Sequence, residues 1–274
     1  MRRSGIAGKA LDQIRSGDVN KVVADVTGAR RGQVGAVLGA NSKRAVLAFM
    51  GGIFDTACAE QPPRCRVNPV KSRAVHRPKI KTGKVQIPDP KVVSATLDAC
   101  ADWADYFTLL VSSGLREGEG LALRWGAIDW TRYTLQVDRT AYRRGLTTPK
   151  SAASARVVDV GDQLLAVLSR RRREVEAATG RPVDPEGLVV PAPDGRCFDA
   201  TSVRGAWARA SKRAGVTYCN PHKLRHVYAS LQLGSGADLK YVSVQMGHAS
   251  IRITADLYGH LLPGVDRRRG SAHV

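Results

Sequence analysis

Apolar residues at Ala45, Val46, Phe49, Met50, Ile53, Phe54 and Ala57 recur at helical spacing, with Ser42-Lys43-Arg44 in capping position and Pro62-Pro63 beyond the end. Ahead of this predicted helix, Gly17-Asp18-Val19 marks another helix start, and Thr27 to Gly32 reads as a basic turn. Residues 1–69 are thus expected to form a small helical unit. Helical patterning resumes at Pro90, continues through Val92, Val93, Thr96 and Leu97, and again from Trp103 to Val111 up to Ser112-Ser113-Gly114. A short helix is expected from Leu115. Period-two alternation predicts strands over 133–137 and 156–160, separated by turns at Arg143-Arg144-Gly145 and Thr148-Pro149-Lys150-Ser151. Helices over 162–178 and 200–215 flank a short predicted strand at Leu188 to Pro191. The fold expected is mainly α with a small antiparallel sheet, an α+β class.

Residues 70–90 are basic, interrupted by proline and free of helical periodicity, so they read as a connection between units. The division expected is a helical unit over 1–78, a basic linker over 79–90 and a larger mixed unit over 91–274.

Charge narrows the function. The 274 residues carry 43 Lys and Arg against 24 Asp and Glu, a formal net charge of +19. Residues 1–84 hold 17 of those cations and 5 of those anions. Such an excess attracts a polyanion, with nucleic acid ahead of an anionic membrane because no strongly amphipathic basic helix stands out. The longest charge-free apolar run, Ala45 to Phe54, is too short to span a bilayer, and no signal-peptide core follows Met1-Arg2-Arg3. Five scattered cysteines without a C-x-x-C pair suggest reduced thiols in a cytoplasmic protein, with no zinc site expected. The run Arg170 to Arg173 points to all sides of its helix and reads as a solvated face; the cations of 200–215 could face DNA or water.

The chemistry concentrates between Pro221 and Pro263. His222, Arg225 and His226 lie at i, i+3 and i+4, on one face of a predicted helix. Turns at Gly234-Ser235-Gly236 and Met246-Gly247-His248 follow, and then Tyr258. Breaking a phosphodiester without a metal needs a nucleophile, cations on the non-bridging oxygens and a proton for the leaving oxygen. Tyr258 suits the first task, Arg116 and Arg225 the second, and Lys150 the third. No Asp/Glu cluster with metal-binding spacing appears, and neither metal nor cofactor is expected. Glu119, which repels phosphate, reads as a buttress for a site cation; His226 reads as support for its helix.

The segments S-G-L-R-E-G-E at 113–119, P-K-S at 149–151, H-K-L-R-H at 222–226, G-H at 247–248 and Y-G-H at 258–260 together resemble the tyrosine recombinases, or phage integrases. The likeness is strong over 85–263 and weaker over 20–70. It departs from the common pattern at Gly120, Met246 and 151–156. The resemblance implies a two-domain clamp on duplex DNA, with a helical core-binding domain and a catalytic domain. By the same likeness Arg116 and Arg225 bind the scissile phosphate, Lys150 is the general acid toward the 5′-oxygen and His222 assists proton transfer. His248 hydrogen-bonds the phosphate, and Tyr258 forms a 3′-phosphotyrosyl link. The partners implied are attachment-type core sites in double-stranded DNA, a homo-tetramer assembled on them and an accessory directionality factor. A phage or mobile element in a bacterial cytoplasm is the expected setting. Nothing before residue 20 resembles the arm-binding domain of larger members. Two rivals share this chemistry: a type IB topoisomerase, which would relax supercoils without site preference, and an idle DNA-binding regulator, which would lack a site residue.

Overall fold

The structure is a computed structural model that describes residues 6–30, 33–79, 85–148 and 155–262. It is mostly helical with small antiparallel sheets and separates into two compact units, within residues 1–83 and 84–274. No described helix is long and apolar enough to cross a membrane.

In the first unit, α1 (Ser16–Asp25) turns Val19, Val22 and Val23 onto α2 (Ala40–Ala59), which contributes Leu47, Met50, Phe54 and Ala57. The i, i+3, i+4 spacing of these positions supplies each helix with its buried stripe. Two features differ from the sequence expectations. The segment 27–37, expected as a turn at its start, is an antiparallel pair, β1 (Thr27–Arg30) with β2 (Gln33–Val37). Helix α2 begins at Ala40 rather than after Arg44, because the Gly39 carbonyl already accepts the Lys43 N–H at 3.0 Å.

The front of the expected connection is built into this unit. Val70 and Val75 are buried in its core. Asn68 donates to the Gly51 carbonyl at 3.0 Å and to Asp55 at 2.9 Å, and accepts the Val70 N–H at 2.9 Å. Asn20 donates to Ala74 O at 2.9 Å and accepts from His76 N at 2.8 Å. Proline and charge disguised this packing, since two valines and a few side-chain bonds hold the segment without any periodic pattern.

The second unit contains α3 (Pro90–Asp98), α4 (Ala104–Ser113), α5 (Glu117–Leu121), α6 (Asp162–Thr179), α7 (Ala200–Arg213), α8 (Lys223–Gly234), α9 (Leu239–Met246) and α10 (Ile251–Tyr258). Its sheet runs β3 (Ile128–Asp129), β4 (Thr134–Val137), β7 (Arg156–Asp159), with Leu135 opposite Val158 and Val137 opposite Arg156. Leu135, Val137 and Val158 point into a core shared with Phe107, Leu109 and Leu110 of α4, Leu164 of α6, Trp207 of α7 and Leu224 of α8. Hairpin β5 (Thr140–Tyr142) and β6 (Gly145–Thr147) turns through Arg143 and Arg144, both at positive φ, as a two-residue turn demands. The expected strand at 188–191 reduces to a single bridge between Leu188 and Arg124; Pro191 stops it from extending. The arginine run on α6 is largely tied down: Arg170 pairs with Asp105 and Glu174, Arg172 with Glu176, and Arg171 donates to Val189 O.

Gly120 has a packing reason. A Cβ there would lie 2.8 Å from Leu110 and 3.3 Å from Tyr106, so a larger apolar residue does not fit against α4.

Candidate active site

Two helices that end in left-handed glycines shape the site. Helix α4 stops at Gly114 (φ +65°) and α9 at Gly247 (φ +61°). The positive φ ends each helix sharply and leaves its last carbonyls without helical partners. Arginines take those carbonyls. Arg225 of α8 donates to Gly114 O at 2.5 Å and also to Met246 O. Arg116, just after Gly114, donates to Gly247 O at 3.0 Å. Arg156 of β7 donates to Gln245 O at 2.7 Å. Cations at helix C-termini also meet the negative end of the helix dipole.

Glu119 ties two of these arginines together. Its carboxylate accepts Arg116 N at 2.9 Å and Arg116 Nη1 at 2.7 Å, then Arg156 at 3.1 Å and 2.9 Å. This is the buttress expected of Glu119, with a second arginine added. Burial alone would raise its pKa, but the Arg156 and Arg116 contacts outweigh burial and lower it.

Arg225 is buried, and its pKa falls to about 9. Desolvation is the larger cause; Arg116 and Arg156 add repulsion, while Glu119 and Tyr258 oppose it. The site is therefore short of negative charge at Arg225.

The histidines and Tyr258 complete the cluster. His222 sits at the N-terminus of α8, where its backbone N–H donates to Asn220 Oδ1 at 2.9 Å. The His222 and His226 rings meet edge to face at 5.7 Å, and the His226 ring lies 5.7 Å from that of Tyr258. Tyr258 Oη and His226 Nδ1 are 2.5 Å apart. His248 Nδ1 is 2.7 Å from the hydroxyl of buried Thr254, which orients the imidazole. Ser250 caps α10 through the Arg252 N–H at 3.2 Å, and Tyr258 is the last residue of that helix. Desolvation, then neighbouring cations, lowers all three histidines, with His226 and His248 at about 4. Burial lifts the Tyr258 phenol to about 12, with Arg225 opposing. All three rings are thus neutral at pH 7, and the phenol keeps its proton.

Five of the six residues singled out from the sequence converge: Arg116, His222, Arg225, His248 and Tyr258. Lys150 lies outside the described residues. His226 differs from its reading as helix support, because its ring reaches Tyr258; the i, i+4 spacing to His222 carried that signal. Arg156, Gln245 and Thr254 were not anticipated. For Arg156 a signal existed: if Val158 and Val160 face inward, period two turns Arg156 inward too. Gln245 bridges from α9 to β7, accepting Asp159 N at 2.9 Å and donating to Asp159 Oδ2 at 3.0 Å. Among the described residues no group of three or more His, Cys, Asp or Glu side chains is placed to hold a metal ion.

A family model described as the phage integrase family matches residues 89–264. A XerC-like tyrosine recombinase of Caldanaerobacter subterraneus is 33% identical over 176 residues, covering 57% of this chain and 45% of that protein. The match thus spans less than half the length of that relative. The ICEBs1 integrase of Bacillus subtilis is 27% identical over 265 residues, covering 92% of this chain and 70% of that one. Among solved structures, the Tn1549 transposon integrase in complex with transposon right end DNA aligns with a TM-score of 0.74 at 16% identity, over 98% of this chain and 88% of that chain. A lambda integrase dimer bound to a core site aligns at 0.63 and 15% identity, over 97% and 86% of the two chains. The structural likenesses share the fold, and the family model covers more than half of the sequence: this chain belongs to the phage integrase family, the tyrosine recombinases.

Proposed function

We propose that the protein is a site-specific DNA recombinase that breaks and rejoins strands through a 3′-phosphotyrosyl link, integrating or excising a phage or other mobile element. The observation that carries this reading is Arg225. Its buried guanidinium is fixed by two helix-end carbonyls and coupled electrostatically to both Arg116 and Tyr258. A phosphodiester between the arginines would supply the missing negative charge and stand beside the phenol. Preorganised cations are worth most where charge builds up in the transition state.

In the reaction proposed, Arg116 and Arg225 hold the non-bridging oxygens and His248 donates a hydrogen bond to one of them. Tyr258 attacks phosphorus, and Lys150 protonates the departing 5′-oxygen with help from His222. The phosphotyrosyl link conserves the bond energy, and a 5′-hydroxyl from a partner strand then releases the tyrosine. The partner is duplex DNA carrying a core site, bound by a tetramer of protomers in the bacterial cytoplasm. The names of the ICEBs1 and Tn1549 integrases favour a mobile-element role.

The test uses a pool of nicked suicide duplexes with random cores, incubated with wild type and Tyr258→Phe. Wild type is expected to leave a covalent DNA adduct under denaturing conditions and Tyr258→Phe none. No wild-type adduct anywhere in the pool would sink the proposal. Recombination between two captured sites distinguishes it from supercoil relaxation.

A further inference from the structure

Tyr258 is fully buried, and its hydroxyl meets one hydrogen-bonding partner among the described residues, His226 Nδ1 at 2.5 Å. A buried hydroxyl hydrogen needs an acceptor. The His226 ring is neutral and the phenol protonated at pH 7. Oη–H therefore donates to Nδ1, and the remaining ring proton sits on Nε2.

We infer that His226 is a catalytic residue, the base that accepts the Tyr258 proton as the phenol attacks phosphorus. The inference rests on the reading of Tyr258 as nucleophile. In the cleavage step the Oη–H bond breaks and its proton moves to Nδ1, Oη bonds to phosphorus, and the P–O5′ bond breaks. The general acid of the proposed reaction supplies the proton for O5′. In religation a 5′-hydroxyl attacks phosphorus and gives its proton back to that general acid, the Oη–P bond breaks and Nδ1 returns the proton to Oη.

The geometry needs no rearrangement of His226, since Nδ1 already lies 2.5 Å from Oη. The groups facing the ring are His222, Lys223 and Arg225 from its own helix, Tyr258 from α10 and His248 from the preceding turn. Burial, and after it His222, Arg225 and Lys223, hold down its proton affinity in the free protein. A bound phosphodiester beside Arg225 offsets part of that field and raises the basicity of His226 when the base is needed.

Single-turnover cleavage of a captured suicide duplex tests the assignment with wild type, His226→Gln and His226→Gly. Losing a positioned base lowers proton-transfer catalysis by about 10²- to 10⁴-fold, so His226→Gln should cleave at least about 100-fold more slowly. Its residual rate should climb with pH toward the phenol pKa while wild type levels off. Added imidazole should restore His226→Gly at least about tenfold and leave Tyr258→Phe inactive. A purely structural role predicts a slower variant with the wild-type pH profile and no imidazole rescue, and that outcome overturns the inference. So does His226→Gln cleaving within about twofold of wild type. Should both variants fail to fold, ¹⁵N histidine spectra of wild type, assigned by their change in Tyr258→Phe, decide the matter: a protonated Nδ1 at pH 7 overturns it. Absence of any wild-type adduct is the separate failure of the recombinase reading.

Discussion

Arg156 grips Glu119 with two nitrogens, Nη1 to Oε1 at 3.1 Å and Nη2 to Oε2 at 2.9 Å, and both side chains are buried. Because Arg116 holds the same carboxylate, β7 in the sheet and the loop after α4 are joined through one acid. Removing one member of such a pair leaves an uncompensated buried charge, which typically costs about 3–5 kcal/mol. Glu119→Ala should lose that much in urea unfolding. If Arg116 holds the phosphate as proposed, binding of the suicide duplex should weaken too, read as a higher Kd.

Gly114→Ala and Gly247→Ala should both destabilise, in that order of severity. Each forces a left-handed alanine, worth about 1–2 kcal/mol. At Gly114 the new Cβ would also sit 2.4 Å from the rigid Tyr228 ring, whereas at Gly247 it would meet the Arg156 side chain at the longer distance of 3.0 Å. Equal melting shifts for the two variants would contradict this ordering.

Acid should unfold the protein in two stages. His226 and His248 bind protons more weakly folded than unfolded, so their contribution is complete above pH about 6.5 and disappears as pH falls through about 4. The full shift corresponds to about 3 kcal/mol for each ring, which solvent screening at these half-buried sites cuts to roughly 2 kcal/mol. Glu119, whose pKa is lowered, adds its own loss below the ordinary carboxylate range. Unfolding free energies measured from pH 7 to 4 should fall less steeply in His248→Gln than in wild type.

Arg225→Lys should not preserve function. Arginine reaches Gly114 O and Met246 O with separate arms. A single ammonium satisfies one, leaving a buried carbonyl unpaired at about 1–3 kcal/mol. The expected result is a lower melting temperature together with slower covalent capture, and full activity would contradict the two-carbonyl anchorage.

Local pattern in the sequence was enough to mark the start of α1, to place α4, α6 and α7, and to place the strands β4 and β7, because one buried stripe or face dictates each. The motifs likewise singled out Arg116, His222, Arg225, His248 and Tyr258, since phosphate chemistry draws on few residue types. Local pattern was silent where a contact joins distant segments. Arg156 meets Glu119 across 37 positions and Gln245 across 89. Val70 and Val75 bury without periodicity, and His226 meets Tyr258 only once α10 is folded into place. The sequence by itself determined which chemical groups were present and which helices carried them. Tertiary structure decided which carbonyls the arginines hold and which imidazole meets the phenol, because those choices depend on distances of a few ångströms between elements that no spacing along the chain records.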